Sequence, residues 1–346
     1  MQMFDFYKRI IEEELKQAIP KEMTFNYARS FSNSKEYEYD YKALTKAILE
    51  PLWEFLNRGG KRWRPVLMML AHEATGGNPL EIRRLSIIPE LIHNGTLIVD
   101  DIEDDSKTRR GKRASHLIFG KDVSINMANF LYFLPHKIIS ESDLTPRKKK
   151  TLNDLINQEM SRLHLGQAMD IHWHNSKEHN VAEAQYFQMC AFKTGCLARL
   201  PVKMGAVLAG ASRKEINALS RFAEAVGIAF QIKDDILNLT GSKHWGKEVG
   251  DDIQENKKSL IMIHFMKSSS QKDRNRMISY LGKKPSKSDM AAILSLLNKY
   301  GSIEYSMKKA EDMISRAQRE LYTSLPDTRA KNDLLMMSGY LITRKF

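Results

Sequence analysis

Apolar residues recur at spacings of three and four over long stretches of this chain, and that periodicity constrains its fold more than any other feature. Segments 41–57, 62–75, 80–103, 115–141, 147–173, 181–210 and 213–239 carry it, and 287–299 and 302–323 continue it. A repeat near 3.6 aligns such residues on one face of a helix, whereas a strand would alternate at two. Strand signals are almost missing, and βαβ alternation, a glycine-rich dinucleotide turn and internal repeats are not seen. Helices of about twenty residues or more, joined by short Gly, Pro, Asn or Asp punctuation, describe an all-α fold. The expectation is one large single-domain helical bundle over residues 1–346, built around a central apolar cavity. A helical extension would occupy residues 1–40 and a flexible loop residues 241–258.

Composition narrows the function classes. A hydrophobic fraction of 42% supports a packed core, and 28% charged residues with 9% aromatics belong to a globular chain rather than a disordered one. No run approaches the ~20 apolar residues of a membrane-spanning helix. The first residues, MQMFDFYKRIIEEELKQ, lack the apolar core of a signal peptide. Cys190 and Cys196 are the only cysteines, so no disulfide framework exists and a cytoplasmic location is expected. The net charge of +12 suits a polyanionic partner. Scattered lysines such as Lys148, Lys149 and Lys150 read as solvated surface, and the basic–aromatic interleaving of nucleic-acid binders is missing.

The stretch LIHNGTLIVDDIEDDSKTRRGKR carries the most chemistry. An apolar-rich helix, Glu90 to Val99, runs straight into Asp100, Asp101, Glu103, Asp104 and Asp105. Asp100 and Asp104 are four apart and share one helical face, where like charges repel. At a helix C-terminus the macrodipole adds to the penalty. A cation would remove both costs, and hard carboxylate oxygens suit Mg²⁺, which takes one or two of them plus phosphate oxygens. Arg109 and Arg110 follow closely, with guanidinium groups that match diphosphate oxygens. Mutual neutralisation of acids and arginines on a surface is the plainer alternative.

A second apolar helix ends the same way in FAEAVGIAFQIKDDILNLTG. Asp234 and Asp235 are adjacent, Gln231 lies one turn earlier, and Asn238 could coordinate through its carbonyl without adding charge. Three basic elements accompany the clusters. Arg58-Gly59-Gly60-Lys61-Arg62-Trp63-Arg64-Pro65 is a glycine turn opening a helix, whose N–H groups favour anions near Lys61 and Arg64. Phe192-Lys193-Thr194-Gly195 sets a lysine and a hydroxyl inside an apolar helix, although a lysine there can simply snorkel. Gly246-Lys247 and Lys257-Lys258 flank Asp251-Asp252 in a stretch suited to closing over a ligand.

With these motifs in order, the chain resembles the trans-isoprenyl diphosphate synthases. GGKRWRP, ELIHNGTLIVDDIEDDSKTRRG, GQAMDIHW, KTG, FQIKDDILN and GKEVGDDIQENKKSL cover roughly residues 40–265. The resemblance implies an all-α homodimer that condenses isopentenyl diphosphate with an allylic diphosphate. Lys61, Arg64, His93 and Arg110 would bind the isopentenyl diphosphate. Arg109, Lys193, Thr194, Gln231, Lys247 and Lys257 would hold the allylic diphosphate. Asp100, Asp104 and Asp234 would bind magnesium, up to three ions, supported by Asp101 and Asp235. Gln167 and Asp170 match a GQxxD motif expected to line the cavity. Two departures stand out: Asn238 replaces the last aspartate of the second motif, and Asn256 stands where glycine is common.

Product length should depend on the helix behind the first cluster. Gly95 and Thr96 lie about 6–7.5 Å deeper than Asp100 along that helix and neither is aromatic. In ANFLYFLPH, Phe130, Tyr132, Phe133 and His136 are floor candidates, and the chain looks most like geranylgeranyl synthases, which implies a C20 product, with C15 or C25 and longer products as alternatives. Competing readings are a class I terpene cyclase and a non-catalytic subunit of a heteromeric synthase. The first fits poorly with the GGKRWRP turn and His93, the second with retention of both acidic clusters. A metal site built on His164, His172, His174 and His179 is disfavoured, because His172 and His174, two apart, point to different sides of a helix.

Overall fold

The computed structural model describes residues 2–32, 38–176, 180–241 and 250–343. They group into two compact units, Met1–Met69 with Asn78–Asn153 and Leu70–Gly77 with Asp154–Phe346. Helices account for almost all regular structure, and the strands described are one two-residue pair. Among the described residues no helix is long and apolar enough to cross a membrane.

In the first unit the helix Gln2–Ala18 is no loose extension. Tyr7, Ile11, Leu15 and Ile19 recur every fourth residue and are buried in the core of the unit. The first-cluster helix runs Ile88–Glu103 and Asp104 caps its C-terminal end. Pro89 occupies its first turn, where the missing N–H costs nothing. The periodicity over 80–103 is therefore not one helix: a tight turn Pro79–Ile82 and a short helix Arg83–Ser86 precede it. Gly120, at φ 92°, likewise splits 115–141 into Ser115–Phe119 and Lys121–Ser140. An unforeseen hairpin follows the acidic cluster, pairing Thr108 with Arg113 and Arg109 with Lys112. Arg110 and Gly111, both at positive φ, make its two-residue turn.

The second unit is organised by Arg213–Thr240, which opens on a capping box. Ser212 accepts from the Glu215 N–H at 3.3 Å while the Glu215 carboxylate accepts from the Ser212 N–H at 2.7 Å. It packs along Ser302–Ser324 and against Cys196–Ala209. The KTG motif sits in a π-helical turn, Ala191–Gly195, between Glu183–Cys190 and Cys196–Ala209. Such a turn inserts an extra residue and re-aims the side chains on it. Glycine lets neighbours approach this turn. A Cβ on Gly227 would come 2.8 Å from Gly195 Cα, and one on Gly166 would overlap the Lys193 backbone nitrogen. Beyond residue 257 five helices follow, from Leu260–Ser268 to Arg329–Thr343.

Candidate active site

In the first unit basic side chains gather beside the Ile88–Glu103 helix. Gly59 and Gly60 turn at φ 86° and 144°, and Arg62 follows at φ 50°. Arg62 is buried, with Nη1 donating to Glu90 at 2.6 Å, Nε to Glu12 at 2.8 Å and Nη2 to the Leu56 carbonyl at 2.8 Å. Glu90 also accepts from Asn94 Nδ2 at 2.8 Å. Arg62 and Glu90 are thus struts that hold the turn, a role the sequence did not assign. A hint existed, since Glu90 is a lone carboxylate entering an apolar helix.

Arg110 donates to the Gly59 carbonyl at 2.6 Å and stands 5.3 Å over the Phe55 ring, beside Arg58 over the same ring. A Cβ on Gly60 would lie 3.3 Å from the guanidinium nitrogens of both Arg110 and Arg62. Burial, reinforced by Arg62, Arg109 and Arg58, lowers the Arg110 pKa to about 10. Arg64 is buried over Trp63 at 4.3 Å, and Lys61 is exposed. His93 faces this charge. Burial and then Arg64, Arg110, Arg109 and Arg62 push its pKa well below the ordinary histidine value. Its Nδ1 is buried without a hydrogen-bond partner among the described residues. A neutral imidazole amid guanidinium groups is what an incoming anion would complete.

The acidic end separates by face. Asp100 and Asp104 are half-buried and one turn apart, and the Asp104 N–H closes on the Asp100 carbonyl at 2.9 Å. Asp101, 1% exposed, turns inward and takes Nε of Arg109 at 2.8 Å, with Nη2 bonding the same oxygen. Arg109 Nη2 also lies 3.4 Å from Asp100. Burial opposes the Arg109 charge, but Asp101, Asp100 and Asp104 outweigh it and raise its pKa. Asp101 therefore fixes Arg109 beside the expected ligand Asp100.

Tyr132 packs on Gly95, where a Cβ would meet the ring at 2.8 Å, and burial followed by Glu103 and Asp100 raises its pKa. Thr96 donates back to the His93 carbonyl at 2.8 Å. Phe133 corrects the expected floor: it is 71% exposed, sharing the outer face of its helix with Ile125 and Asn129. His136 is taken up by Asn153 at 2.7 Å, and Phe130 stacks near Phe31 at 5.9 Å.

In the second unit the π-helical turn presents Lys193, whose Nζ donates to Asp170 at 2.6 Å. Asp170 and Gln167, one turn apart on Pro146–Asn175, are buried. A chain of hydrogen bonds starts at the next residue. Thr194 donates to Gln231 Oε1 at 2.9 Å, Gln231 Nε2 donates to Asp235 Oδ1 at 2.8 Å, and the Tyr186 hydroxyl donates to Asp235 Oδ2 at 2.8 Å. Asp235 is buried, and that burial raises its pKa to about 6, with Asp234 adding to the rise and Gln231, Tyr186 and Lys257 opposing it. Both its oxygens are engaged, whereas Asp234 on the neighbouring face is half-buried. Nothing in the sequence marked Tyr186.

Asn238 is engaged as well: its Oδ1 accepts the Asp252 N–H at 3.2 Å. Asn256 explains its own departure from glycine. It adopts φ 55°, a left-handed conformation that asparagine tolerates, and its Nδ2 lies 3.3 Å from the His174 carbonyl. Lys257 pairs with Glu255 at 2.9 Å. Lys247 lies outside the described residues. No group of three His, Cys, Asp or Glu side chains forms a ready cation site among the described residues.

Comparison with known proteins fits this geometry. The profile of the polyprenyl synthetase family matches residues 45–297. A short chain isoprenyl diphosphate synthase of Methanothermobacter thermautotrophicus is 32% identical over 87% of this chain and 91% of its own. A geranylgeranyl diphosphate synthase of Methanosarcina mazei is 32% identical over 84% and 88%. The crystal structure of a geranylgeranyl pyrophosphate synthetase from Pyrococcus horikoshii superposes with a TM-score of 0.86 at 33% identity, covering 99% of both chains. The chain belongs to the polyprenyl synthetase family: it is a prenyltransferase of the trans-isoprenyl diphosphate synthase type, most like the geranylgeranyl diphosphate synthases.

Proposed function

We propose that this enzyme joins isopentenyl diphosphate head-to-tail to an allylic diphosphate of C5 to C15, forming all-trans geranylgeranyl diphosphate, C20. The observation that carries the reading is the acidic helix end of Asp100 and Asp104, set on the same helix as His93, which Arg62, Arg64, Arg109 and Arg110 surround from other elements of the unit. Residues 1–346 would act as one catalytic domain, working in the cytoplasm as a homodimer.

Asp100, Asp104 and Asp234 fit magnesium. Half-buried carboxylates suit an ion that keeps part of its shell for water and phosphate oxygens. When bound, magnesium neutralises charge on the departing diphosphate. Lys193, Thr194, Gln231 and Arg109 would orient the allylic diphosphate, joined by Lys257 and Lys247. Lys61, Arg64, His93 and Arg110 would hold the isopentenyl diphosphate, placing its double bond to attack the allylic carbon as the C–O bond breaks. The proton lost from the new chain passes to the released diphosphate. No side-chain nucleophile is needed. Tyr132, packed on Gly95, would set the depth available to the growing chain.

Product analysis after incubation with isopentenyl diphosphate and C5, C10 or C15 primers tests the reading. C20 is expected from each, dependent on magnesium. A hydrocarbon or alcohol made from the allylic diphosphate alone would indicate a cyclase, and no elongation by the purified chain would indicate a non-catalytic subunit.

A further inference from the structure

We infer that Asn238 is a positioning residue that fastens the Gly250–Lys257 turn to the second acidic helix end, and so sets where Lys257 stands. The inference deepens the proposed function and rests on it for the role of Lys257.

Asn238 is 1% exposed, seven residues after Gln231 and three after Asp235 on Arg213–Thr240. Its carbonyl accepts the Gly250 N–H at 2.9 Å and its side-chain Oδ1 accepts the Asp252 N–H at 3.2 Å. One residue therefore grips the start of the turn twice, through backbone and side chain. Asp252 in turn closes the far end, its carbonyl accepting the Lys257 N–H at 2.9 Å. Two further attachments fix the orientation. Asn256 Nδ2 lies 3.3 Å from the His174 carbonyl, and the Gly282 N–H donates to the Ile253 carbonyl at 3.0 Å.

The residue type suits the task. The cap needs an acceptor for an N–H, which either asparagine or aspartate supplies. At a buried site close in sequence to Asp234 and Asp235, a further carboxylate would add desolvation and repulsion that the amide avoids. Asn238 Nδ2 has no hydrogen-bond partner among the described residues, so the acceptor is the part in use.

The test compares Asn238→Ala and Asn238→Asp by two readouts. Hydrogen exchange at the Asp252 amide, without substrate, should lose protection in the alanine variant and regain it in the aspartate variant. Steady-state kinetics should show KM for the allylic diphosphate rising about tenfold in the alanine variant, the scale of one lost neutral hydrogen bond, with KM for isopentenyl diphosphate unchanged. Unchanged Asp252 protection in Asn238→Ala would overturn the inference. A shifted magnesium requirement with normal protection would make Asn238 a metal ligand instead. Absence of prenyl transfer by the unmodified enzyme would sink the proposed function while leaving the exchange result to decide the anchoring.

Discussion

Tyr186 and Asp235, on two different helices of one unit, meet through a 2.8 Å hydrogen bond between a buried phenol and a buried carboxylate. Through Gln231 that contact reaches Thr194, beside Lys193. Removing the hydroxyl with Tyr186→Phe leaves a buried acceptor unpaired, which costs about 1–3 kcal/mol. Thermal or urea unfolding should show that loss. The allylic KM should rise more than the isopentenyl KM, and equal changes in both would argue that Tyr186 only stabilises the fold.

Asp101 and Asp104 should separate by phenotype. Asp101→Asn removes the nearer of two carboxylates paired with Arg109, leaving Asp100 at 3.4 Å, and should lower stability by about 1–3 kcal/mol. Asp104→Asn should leave the melting temperature near that of the unmodified enzyme and lower kcat/KM about 100-fold or more, with chelation abolishing activity and magnesium restoring it. Paired melting and kinetic measurements check both, and an Asp101→Asn enzyme that is inactive but as stable as the unmodified one would contradict the part of Asp101 in fixing Arg109.

His93 supplies a pH signature. Its folded pKa is depressed by burial and neighbouring arginines. Between that value and about 6.5 the unfolded chain binds a proton that the folded chain refuses. Stability therefore falls as pH drops through this window and is indifferent to His93 above it. NMR titration should find the imidazole neutral at pH 6 without ligand, and added inorganic diphosphate should raise its pKa. A ligand-free pKa at or above the ordinary value would refute the buried, arginine-flanked placement of His93.

Gly95 and Tyr132 should govern chain length. Gly95→Ala drives a Cβ into the Tyr132 ring, an overpacking cost of about 1–3 kcal/mol, and should shorten the product. Tyr132→Ala should lengthen it, and Phe133→Ala, on the exposed face, should not change it. Chromatography of the dephosphorylated products gives the answer, and a Phe133 effect without a Tyr132 effect would reverse the assignment.

Much of this was legible in the chain itself. Helix positions over 213–239, 287–299 and 302–323 followed from periodicity, because burying one helical face imposes a local repeat. The pairing of Asp100 with Asp104 followed from a four-residue spacing, and the character of the basic turn from Gly59 and Gly60. These are short-range facts, fixed by covalent geometry and backbone freedom.

Tertiary structure decided the rest, because it depends on which groups meet across distant segments. Adjacent aspartates look alike in sequence, yet Asp101 and Asp235 are buried on Arg109 and on Tyr186 with Gln231, while Asp100 and Asp234 remain half-buried. Asn238 offered in sequence only an uncharged acceptor, and the fold brings the Asp252 amide to it from fourteen residues away. Phe133 and Tyr132 are neighbours of similar bulk, and only the packing of one helix on Gly95 sends one inward and the other out. Sequence determined which chemistry was available, and the directions of side chains in the folded units determined which residue performs it.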